Sequence, residues 1–136
     1  MSHNALNRPA VRVGRTARRV IVIATTAVAN GLAWIGGQHA HVDYVVQTPF
    51  GGREITLSLV VVATLVSGLA GWAAFSLLER RTSNTGRAWI ALAALVLTLS
   101  IVPIFVLRAN LDTRLTLSAL HCIAAAILIV GLPQRR

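Results

Sequence analysis

The stretch 55-ITLSLVVVATLVSGLAGWAAFSLL-78 contains no charged side chain. As a helix rising ~1.5 Å per residue it extends roughly 36 Å, enough to cross a hydrocarbon layer of ~30 Å. Lipid offers the backbone no hydrogen-bond partner, so an open-chain segment of this kind must pair its amides internally as a helix. Working outward toward the C-terminus, a basic turn ERRTSNTGR covers 79–87, and a second apolar run, AWIALAALVLTLSIVPIFVL, covers 88–107. The connector RANLDT (108–113) leads to a further run at 114–132, and PQRR closes the chain at 133–136. Toward the N-terminus, a polar loop at 38–54 separates Ile55 from the run VIVIATTAVANGLAWIGG at 20–37. Residues 1–19 are polar and arginine-bearing, and read as a mobile tail.

The sequence therefore predicts an all-α membrane protein, a bundle of four transmembrane helices at 20–37, 55–78, 88–107 and 114–132. Composition agrees. The chain is 55% hydrophobic and 12% charged, against roughly 25% charged in soluble domains. The net charge of +9 could suggest a nucleic-acid partner, but the apolar runs leave no room for a soluble nucleic-acid-binding fold. The expected partner is the lipid bilayer, with the chain itself or another membrane protein as the candidate protein partner.

Arginine placement gives an orientation. The N-terminal tail, the 79–87 turn and the C-terminus hold ten of the 13 basic residues, all arginine; the other side holds Arg53, Arg108 and Arg114. Glu79 lies on the first side, and Asp43, Glu54 and Asp112 lie on the second. The first side thus carries the whole net charge of +9. It is expected to face the cytoplasm, with both termini, across the plasma membrane. The first run is long for a signal-peptide core and no small-x-small site follows Trp34, so it is expected to stay as a span.

In the outer loop, VDYVVQT (42–48) is β-branched and aromatic, and Pro49 with Gly51-Gly52 marks a turn. A short β-hairpin is expected there, VDYVVQT pairing with REITL at 53–57.

Several side chains are candidates for function. Asn30, Ser100 and His121 each lie seven residues inside the outer end of a span, ~10 Å deep, and Thr64 is only ~3 Å deeper. Asn and His facing lipid are costly, so a polar layer inside the bundle is expected. Interhelical bonding is the favoured reading of that layer, ahead of a cavity in which His121 titrates. His39, His41 and Asp43 alternate onto one face if the loop is extended, and are the metal candidates. No fourth ligand stands nearby, and no metal or other cofactor is expected. The rim charges Arg53, Glu54, Arg108, Asp112 and Arg114 are expected to pair with one another or with lipid phosphates. Small residues recur every four positions as Ala29, Ala33, Gly37; Ala63, Ser67, Gly71; and Ser118, Cys122, Ala126, a spacing that lets helices approach closely. Pro103 is expected to kink the third span, with Ser100 satisfying part of the lost bonding.

The loop HVDYVVQTPFGG (41–52), the segment SGLAGWAAFSLLERR (67–81), the short basic turn, Trp89, and the last span LSALHCIAAAILIVGL (117–132) resemble a group of short actinobacterial four-helix integral membrane proteins catalogued as a domain of unknown function. The resemblance covers roughly residues 18–134. It implies topology and source, and no catalytic residues. A chain with a lone cysteine, no carboxylate inside a span and one intramembrane histidine is not expected to be an enzyme. A structural or accessory membrane role is expected, and the alternative is a small oligomeric transporter or channel with a polar cavity around His121.

Overall fold

A computed structural model describes residues 14–48, 50–106 and 109–133. It contains α1 (Arg15–His39), β1 (Val45–Thr48), β2 (Gly51–Glu54), α2 (Leu57–Arg81), α3 (Thr85–Val106) and α4 (Leu111–Gly131). All four helices are long and apolar enough to cross a membrane. α1 begins five residues before its apolar run and ends two after it, whereas α2 begins two residues inside its run and ends three beyond it. Arg15–Arg19, expected in a mobile tail, are the first residues of α1; residues 1–13 lie outside the described residues.

α1 packs against α2 and α4, and α3 packs against α4 and more loosely against α2. Without a hydrophobic drive between helices in lipid, close packing supplies the contact, and glycines make it possible here. A Cβ at Gly68 of α2 would stand 2.9 Å from Ile23 Cγ2 of α1. One at Gly131 of α4 would stand 2.6 Å from Val22 Cγ1. At the other end of α1, Gly37 lies beneath the Tyr44 hydroxyl, and its Cβ would be 3.3 Å from Thr116 of α4. The pairs Gly37–Thr116 and Val22–Gly131 are equally spaced along both helices, so α1 and α4 run antiparallel without slipping register.

The small-residue stripes are displaced from those expected. On α2 the buried row is Val60, Thr64 and Gly68, while Ala63 and Ser67 are exposed. On α4, Cys122 and Ala126 are exposed. Spacing alone gives a repeat of four but not which of the adjacent rows faces a neighbour. Trp89, at the start of the third apolar run, is buried edge-on to Phe75 with centroids 5.3 Å apart. Gly71 makes space for it: a Cβ there would be 3.5 Å from the indole. Trp72, Leu92 and Leu128 complete this cluster around Leu132. α3 continues through Pro103 to Val106, and Ser100 bonds the Val96 carbonyl. The carbonyl that loses its donor to Pro103 is that of Leu99, four residues back, so Ser100 does not offset that loss.

The hairpin between α1 and α2 is present, with Val45 opposite Glu54 and Thr48 opposite Gly51. Its second strand begins two residues earlier than the expected pairing. Thr56 instead caps α2, its hydroxyl accepting from the Leu59 amide at 3.4 Å, which claims Leu57 for the helix. Gly51 supplies the positive φ of 117° that the turn requires.

Candidate functional site

The expected polar layer assembles in part. Asn30 and Thr64 are both buried, and the Asn30 amide donates to the Thr64 hydroxyl at 3.0 Å across the α1–α2 interface. Thr64 donates in turn to the Val60 carbonyl at 2.7 Å. Asn30 Oδ1 is buried without a partner among the described residues. Ser100 and His121 do not join the pair. Ser100 donates to Val96 O at 2.8 Å, and His121 Nδ1 lies 2.8 Å from Leu117 O. A carbonyl only accepts, so this contact requires a proton on Nδ1. Each of these side chains satisfies itself on its own helix, four residues back, and equal depth therefore does not bring them together.

The metal candidates are separated by the end of α1. His39 is the last helical residue, with Nδ1 2.9 Å from Ile35 O. His41 has φ of 58°, and its amide donates to Gln38 O while that of Val42 donates to Gly37 O. These two bonds are the Schellman pattern, with His41 where glycine is usual. The alternation that would line up His39, His41 and Asp43 requires an extended chain, and this segment is not extended. Among the described residues no three His, Cys, Asp or Glu side chains are grouped to hold a metal. His41, Asp43 and Glu54 do share a surface cavity of about 300 Å3.

Of the rim charges, Arg53 and Glu54 are exposed on β2 and Asp112 is exposed in the first turn of α4. Arg114 is half-buried, and Arg108 lies outside the described residues.

Two constellations went unread in the sequence. The first fastens the hairpin to the bundle. Tyr44 is 2% exposed, stacks on Trp34 with centroids 5.3 Å apart, and donates to Trp34 O at 3.1 Å. Trp34 Nε1 donates to Ile55 O at 3.0 Å, and the Thr113 hydroxyl of α4 donates to Asp43 O. Burial pushes the Tyr44 phenol above its ordinary value of 10.0. The hairpin tip is the reverse case: Phe50 is fully exposed. The second constellation is at the opposite end. Arg19 pairs with Glu79 at 2.7 Å, donates to Ser76 Oγ at 3.0 Å, and lies 5.4 Å from the Phe75 ring centroid. A signal for it existed, since Arg19 precedes the first apolar run and Glu79 follows the second, and antiparallel neighbours bring those ends together.

A model of a family of unknown function, DUF6069, matches residues 10–136. No curated protein and no solved structure matches the chain. With nearly its whole length matched, the chain belongs to that family.

Proposed function

We propose that this member of the family is a multi-pass protein of the cell membrane, both termini cytoplasmic, that works by holding another membrane protein and performs no chemistry of its own. The arginine surplus on the side away from the hairpin supports the orientation. The resemblance of its loop and last span to actinobacterial proteins supports a source of that kind. One observation carries the interaction role: the hairpin is clamped to the helix ends through Tyr44, yet it holds Phe50 fully exposed. A two-stranded hairpin is marginal alone, so the clamp presents Phe50 at a fixed place. The alternative, a small oligomeric transporter with a polar cavity around His121, has less behind it. His121 bonds its own helix, and the Asn30–Thr64 pair sits at a different interface.

A photo-crosslinking amino acid at position 50, activated in intact cells, tests the role. One discrete crosslinked membrane protein is expected, and its recovery should fall with Tyr44→Ala, which releases the clamp. Crosslinks to lipid alone would reject the interaction role. Reporter fusions within 79–87 test the orientation separately.

A further inference from the structure

A cavity of about 790 Å3 opens at the end of the bundle away from the hairpin, within the size range of small-ligand sites. Arg15 of α1, Glu79 of α2, and Ser83, Asn84 and Gly86 line it, with Phe75 beneath. The one carboxylate is already neutralised, because Glu79 is paired with Arg19. The Arg15 guanidinium makes no ion pair or hydrogen bond among the described residues, and neither do the side chains of Ser83 and Asn84. Arg18, Arg80, Arg81 and Arg87, outside the lining, are exposed at the same end of the bundle. The lining therefore offers a guanidinium, a hydroxyl and an amide with unused donors, inside a strongly cationic surround. That set suits a group with several acceptor oxygens and negative charge. The cavity also lies where the apolar length of the helices ends, which is the level of lipid head groups. Phe75 and Pro133 give it an apolar side on which glycerol and acyl carbons can rest.

We propose that this cavity is a binding site for the phosphate head group of an anionic phospholipid, with Arg15 as its principal charge contact. The proposal is independent of the partner-holding role and of which leaflet the cavity faces. Gly86 belongs to the lining and has open space where a side chain would begin, so Gly86→Leu adds bulk at the cavity without altering charge.

The full chain, purified in mild detergent, is titrated with phosphatidylglycerol against a phosphatidylcholine background, and bound lipids are counted by native mass spectrometry. Arg15→Gln should lower phosphatidylglycerol occupancy by about tenfold, the loss of one charge-assisted hydrogen bond, and Gly86→Leu should lower it by crowding the head group. Arg87→Gln removes the same charge outside the cavity lining and should change it less than about twofold, because an exposed charge away from the ligand is screened by solvent and salt. An equal loss for Arg15→Gln and Arg87→Gln, with Gly86→Leu silent, would overturn the proposal in favour of diffuse attraction. A parallel arm uses inorganic phosphate alone. Tight binding there, with displacement of the lipid, would also overturn it, making free phosphate the ligand. If Arg15→Gln loses its helical circular dichroism signal, Gly86→Leu alone decides.

Discussion

The Tyr44 hydroxyl donates to the Trp34 carbonyl at 3.1 Å while the two rings stack, so one side chain ties the loop to the last turns of α1 through both its edge and its face. The chain contains one tyrosine, and absorbance at 295 nm therefore titrates this group alone. With its pKa raised by burial, the midpoint of its ionisation should lie above the ordinary value of 10.0. The sign follows from linkage: the phenol is neutral in both states below its unfolded pKa, and the contribution to stability is then nil. As pH rises past that value the unfolded chain ionises first, and stability falls. A normal tyrosine titration in the folded protein would contradict the clamp. Tyr44→Phe should keep the stack and lose only the hydrogen bond, about 0.5–1.5 kcal/mol.

His41 occupies the left-handed position that ends α1. A residue with a Cβ is disfavoured there by roughly 1–2 kcal/mol, and glycine adds some unfolded-state entropy in return. His41→Gly should therefore stabilise the protein by ~0.5–1 kcal/mol, and His41→Val should destabilise it. Reversible unfolding in mixed micelles of rising SDS fraction measures both. A loss of stability in His41→Gly would mean that the imidazole makes a contact worth more than the strain.

The four long apolar helices and the hairpin were legible because such helices write themselves as unbroken apolar length, and turns write themselves as Pro and Gly. The pairing of side chains was less legible. Depth along a helix follows from counting, so Asn30, Thr64, Ser100 and His121 could be set at one level. Rotation about the helix axis does not follow from counting, because the runs are apolar on every side. That is why Ala63 and Ser67 looked like a contact row while Thr64 and Gly68, one position on, form it. The metal reading of His39, His41 and Asp43 failed for a different reason: α1 continues through His39, two residues past the last residue of its apolar run.

Glycine contacts give a graded prediction. Alanine at Gly131 or Gly68 would put a methyl against the branched Val22 or Ile23 at 2.6 Å or 2.9 Å. Neither β-branched neighbour swings aside readily, so each substitution should cost on the order of 1–3 kcal/mol. Gly71→Ala meets the indole at an ordinary 3.5 Å and should fall within about 0.5 kcal/mol of the parent. Unfolding in the same micelles would show the order. A Gly71 effect equal to that at Gly131 would reject the α1–α4 contact.

The Asn30–Thr64 bond has a small expected worth despite its burial. Interhelical bonds in membrane proteins average ~0.6 kcal/mol, and here each partner has a reason to give less. Thr64 keeps its bond to Val60 O when Asn30 is removed, so no donor is stranded. Asn30 Oδ1 has no partner among the described residues, and its desolvation is relieved when the side chain goes. Asn30→Leu should thus be near neutral, and Thr64→Val, which leaves the buried Asn30 amide without its acceptor, should cost more, on the order of 0.6 kcal/mol and at most about 1.7 kcal/mol. A double-mutant cycle on the two positions should give a coupling near ~0.6 kcal/mol. If Asn30→Leu is instead the more damaging change, by several fold in unfolding equilibrium, Oδ1 has a partner such as a bound water or ion, and the pair is part of a working polar site rather than a tie between helices.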